Sequence, residues 1–406
     1  MLSEQSVATV RATLPVVGGA IGEISERFYA GLFTARPELL RDLFNRGNQA
    51  AGTQRQALAG SIAAFATYLV DHPDERPDAM LARIAHKHAS LGVTAEQYAL
   101  VHEHLFAAIA DVLGEAVTPE VAAAWDEVYW LMANALIAIE KRLYDERGGS
   151  EWRDWEVVGR VEETAEVATF RLRPADGGPA ADFRAGQYVS VQVELPDGAR
   201  QIRQYSLSAA PGSPLRQISV KRVRGGTGPD GEVSNHLHAC VHVGGRLRMS
   251  APYGDLVLAG NDAAVPLLLA SAGIGVTPIV AMLGQLADTG HQGPVIVVHG
   301  DRSPAEHALR ADHEAYAGKL PDASVHFWYE EGADRYEDAP DDTDAAHRTG
   351  RVDLTGIAVP QGTRAYLCGP LPFMRAVRAQ LIGKGVAPAD IHYEVFGPDL
   401  WLARES

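Results

Sequence analysis

The pattern of hydrophobic and polar positions changes period twice along the chain. Through residues 1–147, apolar residues recur at three- and four-residue steps, which predicts an all-helical domain. The sequence GGSEWRDWE, near 148–156, breaks that pattern. We therefore predict that the first domain ends at residue 147.

Two further domains follow from the next changes of pattern. Alternating, β-branched runs predict a β-rich domain over residues 152–260; they are WEVVGRVEE, YVSVQVEL, RQISVKRV and GRLRMSAP. Over 263–406, short apolar runs such as VPLLLASA, PVIVVHG, SVHFWY and RAYLCG are separated by helix-like stretches. That alternation is typical of a parallel sheet with helices on both faces.

One apolar segment, residues 263–283, is in our interpretation the only stretch long enough to span a bilayer. Its prolines and glycines, which include Pro266, Gly273, Gly275 and Pro278, instead indicate a strand, a tight turn and a helix. We therefore expect no stable membrane insertion.

Net charge and cysteine content limit the classes of binding partner and the compartment that we expect. The chain of 406 residues has a formal net charge of −16, which disfavours binding to nucleic acid or to anionic membrane surfaces. Only two cysteines occur, without a disulfide framework or a CxxC pair, and the first residues, MLSEQSVATV, lack the regions of a signal peptide. We expect a cytoplasmic protein, monomeric, whose partners are small molecules.

Two histidines lie two positions apart in the segment IAHKHASLG. Positions i and i+2 point to nearly opposite sides of a helix, so only one of His86 and His88 can face the core. His88 is the inward one, because it continues a stripe at i, i+3, i+4 and i+7 that is formed with Leu81, Ile84 and Ala85.

A second predicted helix, from about Pro119 to Arg147, carries a carboxylate on its apolar stripe of Tyr129, Met132, Ala133, Leu136 and Glu140. A buried carboxylate is costly without a partner. His88, Tyr98 and Glu140 suggest an imidazole that binds metal through one nitrogen and donates to the carboxylate through the other. The alternative is a structural polar cluster without metal.

The helical region resembles the globin domain of bacterial flavohaemoglobins. The resemblance covers FYAGLFTARPELLRDLFN, NQAAGTQRQAL, IAHKHASLG and the helix Trp125–Glu140. It implies that His88 is the proximal haem ligand, with Tyr98 and Glu140 as its charge-relay partners. It also implies that Tyr29 and Gln54 form a polar pair on the distal side of the haem. Leu58, Phe44 and Lys87 would be further contacts of the haem. No CxxCH occurs, so the haem would be haem b.

Two short motifs follow in the remaining domains. In RQYSLS, residues 203–208, the arginine can neutralise a pyrophosphate and the tyrosine can stack on a flat heterocycle. A serine of the same motif can form a hydrogen bond with the edge of that heterocycle. The alternative is a plain β-strand. GIGVTP, residues 273–278, follows a buried strand and opens a helix, whose N–H groups can bind a diphosphate. A plain strand-to-helix turn is the alternative there.

Joined in order with YLCGP, residues 366–370, these motifs resemble the ferredoxin-reductase-like flavoproteins, in which an antiparallel β-barrel holding FAD precedes a nicotinamide-binding domain. The resemblance implies FAD contacts at Tyr188, Arg203, Gln204, Tyr205 and Ser206, and at Val233, Ser234 and Asn235 beside the pyrophosphate. It implies NAD(P)H contacts at Gly273, Ile274, Gly275, Val276, Thr277 and Pro278, and at Cys368, Gly369 and Pro370. The terminal motif would place Phe396 against the flavin, with Glu394, Val395, Gly397 and Pro398 around it.

The sequence departs from that family in one place and leaves some choices open. The loop before Val233 is lengthened by GTGPDGE, and we expect the segments 222–232 and 333–347 to be mobile loops. Arg302 would favour the 2′-phosphate of NADPH, and Asp301 beside it the ribose hydroxyl of NADH.

The order of domains implies electron transfer from NADH or NADPH through FAD to haem and O₂. The flavohaemoglobin resemblance implies a nitric oxide dioxygenase that forms nitrate. A flavin reductase and an alkyl or lipid hydroperoxide reductase are the alternatives on the same scaffold.

Overall fold

The computed structural model describes residues 2–149, 152–225, 229–258, 263–331 and 345–398. Contacts between Cα atoms divide these residues into two compact units. One unit takes the described residues up to 152 together with 192–203 and 397–398, and the other takes those from 153–191 and 204–396.

Seven α-helices form the N-terminal part of the first unit. They are α1 (Glu4–Ala35), α2 (Pro37–Asp42), α3 (Arg46–Ala50), α4 (Thr53–Asp71), α5 (Asp78–Leu91), α6 (Ala95–Leu113) and α7 (Pro119–Arg147). α6 begins with a capping box, in which Thr94 and Gln97 bond each other's backbone N–H groups. The Thr118 side chain caps α7, and Pro119 occupies its first turn, where the missing N–H costs nothing. α7 therefore has the bounds that the apolar stripe predicts.

A six-stranded sheet follows the helices, with the strand order β4-β3-β6-β1-β2-β5. Its strands are β1 (Arg153–Glu162), β2 (Val167–Pro174), β3 (Tyr188–Glu194), β4 (Arg200–Ser206), β5 (Arg216–Lys221) and β6 (Arg246–Met249), and α8 (Glu232–Cys240) lies between β5 and β6. β1 pairs antiparallel with β2 and β6, and β2 pairs antiparallel with β5. Leu207, directly after β4, forms an antiparallel bridge with Ile218 of β5, so the two edge strands meet and the sheet closes as a barrel.

The last part of the chain forms a parallel six-stranded sheet with the order β10-β9-β8-β7-β11-β12. Its strands are β7 (Leu267–Ala272), β8 (Val295–Asp301), β9 (Ala323–Tyr329), β10 (Ala345–Thr349), β11 (Arg364–Cys368) and β12 (Ile391–Glu394), with helices α9 (Val276–Thr289), α10 (Arg310–Ala317) and α11 (Leu371–Gly383). The strand order reverses between β7 and β11. A crevice at the carboxyl ends of strands at such a switch point is where α/β sheets bind ligands.

The structure confirms one interpretation about membrane spans and corrects another. Residues 263–283 contain β7, a tight turn and the start of α9, as their prolines and glycines indicate. However, that segment is not the only one long enough to cross a bilayer, because α1 also has the required length and apolar composition. α1 packs on α4, α6 and α7 within its unit, so its length alone is weak evidence for a membrane span.

Several strands gave no clear signal, and some predictions lie outside the described residues. β2, β10 and β12 were not among the predicted runs; β10 and β12 are short and lie at the edges of the parallel sheet. Most of the acidic segment 333–347, and residues 226–228 of the lengthened loop, fall outside the residues that the structure describes.

Candidate functional site

The inward histidine, the tyrosine and the buried carboxylate meet in the helical unit. His88 Nδ1 lies 2.9 Å from Glu140 Oε1 and 2.8 Å from the Tyr98 hydroxyl. The Tyr98 hydroxyl donates to the same carboxylate oxygen over 2.5 Å. Glu140 is buried, whereas about a third of the His88 side chain, 32%, is exposed. The structure thus brings together three residues from α5, α6 and α7 that the sequence had grouped.

This contact decides which nitrogen of His88 carries the proton. An ionised carboxylate only accepts hydrogen bonds, so a neutral His88 that bonds Glu140 carries its proton on Nδ1 and leaves the Nε2 lone pair for a metal. Burial, followed by the negative charge of Glu140, raises the pKa of Tyr98, which keeps its hydroxyl protonated as a donor. Both hydrogen bonds found for His88 within the described residues use Nδ1.

The expected distal residues lie around Tyr29, which is buried on α1. Burial raises the pKa of Tyr29, although polar contacts with Gln54 and Gln49 oppose the shift, so the phenol stays protonated. The ring of Phe44 lies edge-on to that of Tyr29, with 5.9 Å between the ring centroids. Leu58 follows Gln54 by one turn of α4 and is half-buried, as is Lys87 on α5.

Gln49 is the polar neighbour of Tyr29 that sequence reasoning missed. It lies on α3, a helix of only five residues, where no apolar stripe could show the direction of its side chain. Gln49 and Gln54 both lie in the segment NQAAGTQRQAL, and no local pattern there singles out Gln49.

The expected flavin contacts lie on β3 and β4 of the barrel. Ser206 is buried, and its Oγ has no hydrogen-bond partner among the residues that the structure describes. A buried hydroxyl without a partner is costly, so this atom fits a site that a polar ligand completes. Gln204 donates to Ser190 Oγ over 2.9 Å. Tyr188 is buried beside Gly254, where a Cβ atom would approach the tyrosine ring to 3.1 Å.

The segment Val233–Asn235, which we expect beside the FAD pyrophosphate, also holds a loop in place. It opens α8, and its polar side chains hold the preceding loop: Ser234 Oγ donates to the carbonyl of Gly231, and Asn235 Nδ2 donates to those of Val223 and Gly231. Val233 is fully buried. Any bond to a pyrophosphate from this segment would therefore come from backbone N–H groups of the first turn.

The expected nicotinamide contacts come together at the switch point of the parallel sheet. The turn Gly273–Gly275 follows β7, and Pro278 lies in the first turn of α9 as predicted. A Cβ atom at Gly275 would lie 2.2 Å from the carbonyl oxygen of Cys368, so only glycine allows these two loops to touch. Cys368 pairs with Ser271 of β7, which places both loops at one end of adjacent strands.

The residues after β11 and β12 complete this end of the sheet. Cys368 is fully buried and pairs in register with Glu394 of β12. Burial, and then the charge of Glu394, raise the pKa of the Cys368 thiol well above its ordinary value, so it remains a neutral thiol. Phe396, which we expect against the flavin, is 46% exposed in the structure. Pro370 is the N-cap residue of α11. Val395, Gly397 and Pro398 are neighbours of Phe396 along the chain.

Arg302 is already engaged by carboxylates. Its Nε lies 2.5 Å from Glu306 Oε2 and its guanidinium 3.3 Å from Glu166 Oε2. The neighbouring Asp301 carboxylate accepts a bond from the backbone N–H of Arg302. The guanidinium expected to favour a 2′-phosphate therefore already forms two ion pairs with carboxylates.

Three family models match the chain in the order that the resemblances imply. Residues 26–136 match the globin family, residues 154–258 match the oxidoreductase FAD-binding domain, and residues 269–379 match the oxidoreductase NAD-binding domain. The predicted fold class of an all-α globin, an antiparallel barrel and a parallel α/β domain is confirmed.

Full-length relatives match the whole chain. It is 42% identical to a flavohemoprotein of Rhizobium meliloti, covering 99% of this chain and 100% of the relative. A flavohemoprotein of Chromobacterium violaceum is 44% identical, with 98% of each chain covered.

Two solved structures are also similar. The crystal structure of a flavohemoglobin from Malassezia yamatoensis with bound FAD and heme has a TM-score of 0.88 and 38% identity, and covers 98% of this chain and 100% of its own. The FAD/NAD-binding domain of a nitric oxide dioxygenase from Vibrio cholerae is 36% identical, with a TM-score of 0.54, over 61% of this chain and 99% of its own.

Proposed function

The chain belongs to the flavohemoprotein family of oxidoreductases, and on that premise we propose that it is an NAD(P)H-dependent nitric oxide dioxygenase. The overall reaction combines nitric oxide, O₂ and one electron to give nitrate, so one nicotinamide supports two turnovers. The observation that carries the proposal is the shared contact of His88, Tyr98 and Glu140, which leaves Nε2 of a carboxylate-bonded imidazole for iron.

The residues present fit the three cofactors that this function needs. His88 offers a ring nitrogen outside its hydrogen bonds, Ser206 offers a buried hydroxyl without a partner among the described residues, and Gly275 lets two loops meet at the switch point. When bound, NAD(P)H supplies hydride, FAD divides the electron pair and haem b brings single electrons to O₂.

On the proximal side, the chain controls the basicity of the iron ligand. Glu140 accepts a hydrogen bond from the Nδ1–H group of His88 and makes the imidazole richer in electrons, which favours activation of O₂ over storage. Tyr98 donates to the same oxygen and fixes the carboxylate in place. These two residues are positioning residues, because they act through His88.

On the distal side, we assign the protonated hydroxyl of Tyr29 to donate to the oxygen substrate. Gln54 and Gln49 orient that hydroxyl, whereas Phe44 and Leu58 keep water out of the site. We assign Lys87 to the haem periphery by the resemblance alone.

In the reductase part, the proposed residues bind and orient. Arg203, Gln204, Tyr205 and Ser206 would hold FAD with Tyr188, and Gly273–Pro278 with Cys368–Pro370 would hold the nicotinamide nucleotide. Phe396 and Glu394 would close the flavin site. We retain 1–147, 152–260 and 263–406 as the domain bounds, with a monomeric, cytoplasmic enzyme whose partners are small molecules.

The direct test is a mass balance on the purified full-length holoprotein. Nitric oxide is added to protein, NADH and O₂ while an electrode follows nitric oxide, and nitrate and NADH are measured at the end. We expect two nitrates for each NADH consumed. Little nitric oxide consumption, with rapid reduction of an alkyl or lipid hydroperoxide, would instead identify the hydroperoxide reductase. A rate of NADH oxidation that neither nitric oxide nor hydroperoxide changes would identify a flavin reductase.

Two variants locate the reaction. His88→Ala should abolish nitric oxide consumption while NADH still bleaches the flavin, and His86→Ala on the same helix serves as the control. Tyr29→Phe should raise the rate of O₂ loss by about 10- to 100-fold, since a hydrogen bond to a charged group contributes about 1.5–3 kcal/mol. Retained activity in His88→Ala would disprove the assignment of the iron ligand.

A further inference from the structure

A second group of histidines lies in the parallel-sheet part of the other unit. His299 is on β8, His307 follows a 3₁₀ turn after it, and His313 is on α10. All three are buried, with 0%, 4% and 0% of their surface exposed. One ring nitrogen from each lies within 4.8 Å of the corresponding nitrogens of the other two. The proposed nitric oxide chemistry uses none of them.

Two of these rings are anchored through Nδ1 by a hydroxyl group. His299 Nδ1 lies 2.8 Å from Ser271 Oγ, and His307 Nδ1 lies 2.9 Å from the Tyr329 hydroxyl. Metal-binding histidines are usually held in this way, with one nitrogen bonded to a polar group so that the other points at the ion. In both residues Nε2 is the ring nitrogen that does not contact the hydroxyl group.

The remaining nitrogens are spaced for a shared ion. His307 Nε2 lies 3.2 Å from His313 Nδ1. Two imidazole nitrogens bound to a tetrahedral zinc ion at about 2.0–2.1 Å lie about 3.3–3.4 Å apart. A hydrogen bond between the two rings has the same length, but it still leaves Nε2 of His299 buried without a hydrogen-bond partner among the described residues.

The charges around the group include both signs: the positive charge of Arg310 acts on His307, and Arg310 is itself paired with Glu314. Asp301 is the carboxylate next to the group: its Oδ2 lies 3.4 Å from His299 Nε2, and its side chain is 6% exposed. Burial lowers the pKa values of His307 and His313 well below the ordinary value, so both rings are neutral, the form that binds metal.

We propose that His299, His307 and His313 form a buried binding site for zinc or another divalent cation that prefers imidazole, with Asp301 supplying the nearest negative charge. The rings of His299 and His307 are stacked, with their centroids 3.9 Å apart and an angle of 18° between their planes. Because the lone pairs of parallel rings do not converge, binding tilts one ring out of the stack. The ion would tie β8 and α10 together beside Ser271, two residues before the turn at Gly273.

The first experiment measures zinc in the full-length holoprotein. The protein is treated with a chelator, equilibrated by dialysis with zinc sulfate, dialysed against zinc-free buffer and analysed by mass spectrometry for zinc and iron. We expect close to one tightly held zinc per chain. Zinc at the level of the buffer blank would overturn the proposal.

X-ray absorption at the zinc edge identifies the ligands without any mutation. Three imidazoles at about 2.0–2.1 Å are expected. A zinc bound by oxygen atoms, or by a single imidazole, would show an adventitious surface site and overturn the assignment. Since iron and nitric oxide do not enter this measurement, its outcome is separate from that of the proposed function.

A matched pair of variants places the ion within the fold. His313→Asn should lose the tightly held zinc, whereas His326→Asn, which removes a half-buried imidazole from β9 outside the group, should retain it. A folded His313→Asn protein that keeps one zinc would contradict the site. If circular dichroism shows that His313→Asn does not fold, His299→Asn and the wild-type absorption spectrum decide the question.

Discussion

In the helical unit, a single imidazole, His88, shares its Nδ1 with a phenol and a buried carboxylate, whereas in the other unit three imidazoles pack together with hydroxyl groups as their main partners. The carboxylate of Glu140 accepts a hydrogen bond from Nδ1 of His88. In the second group, burial and the neighbouring imidazoles disfavour any added proton. The same side chain is therefore made electron-rich in one place and kept neutral in the other.

The two groups differ in the partner that each imidazole needs for its chemistry. A ligand that activates O₂ gains from an anionic partner behind it, because the partner raises the donor strength of the imidazole. In the second group, burial keeps His307 and His313 neutral, and neutral imidazole is the form that binds a structural ion. Five changes test this comparison.

The largest effect should come from Glu140→Gln, which removes the negative charge but keeps the size of the side chain. The iron–histidine bond should weaken, and nitric oxide turnover should fall by about 10- to 100-fold, as is common when a polar partner of a metal ligand is lost. Turnover and the iron–histidine stretching frequency measure the effect. Glu146→Gln, at an exposed position of the same helix, is the control; equal turnover in the two variants would remove Glu140 from the relay.

Acid should destabilise the second group. Burial, followed by the charges of His299 and the other neighbours, holds the pKa of His307 well below 6.5, and burial does the same for His313. The unfolded chain then binds more protons below pH 6.5, so the free energy of unfolding falls as pH drops, by at most about 1.4 kcal/mol per pH unit for each group. Unfolding with a chelator present, at pH 7.5 and 5.5, measures the loss.

His313→Asn sharpens that measurement, because it removes one of the two titrating groups and should reduce the pH dependence. A variant whose stability depends on pH as strongly as the wild type would show that other groups cause the acid effect.

Tyr98→Phe removes a hydroxyl that donates to a buried carboxylate. A hydrogen bond to a charged group contributes about 1.5–3 kcal/mol, so the free energy of unfolding of the helical unit should fall by that amount. Denaturant unfolding followed through haem absorbance gives the value.

The smallest effect is expected for Tyr329→Phe, the counterpart of Tyr98→Phe in the second group. Its hydroxyl bonds the neutral ring of His307, and such a bond contributes about 0.5–1.5 kcal/mol. Denaturant unfolding of this variant, followed by tryptophan fluorescence, is compared with that of Tyr98→Phe. If both substitutions lower the free energy of unfolding by the same amount, the charge of Glu140 does not explain the difference between the two groups.

Much of the fold could be predicted because local pattern and tertiary role agree. α7 begins and ends where its stripe predicts, since Thr118 and Pro119 are start signals that act locally. The turn before α9 was predicted for the same reason. By contrast, β10 and β12 are short edge strands whose pairing comes from neighbours far away in sequence.

The candidate site could be predicted only in part. His88 and Glu140 stood out because each is a polar residue that lies on an apolar stripe. Gln49 did not, because a five-residue helix has too little periodicity to show which way a side chain points. Ser234 and Asn235 matched a motif, yet their side chains bond the loop before them.

Periodicity and capping act within a few residues, so local sequence is enough to give the order of the three kinds of domain, the start of α7 and the identity of the inward histidine. Only the tertiary structure decided that His88 Nδ1 meets Glu140 and Tyr98, that Gly275 touches Cys368, and that His299, His307 and His313 gather in one place. Those contacts join residues that are distant along the chain, and their distances depend on how helices and strands pack, which no local pattern contains.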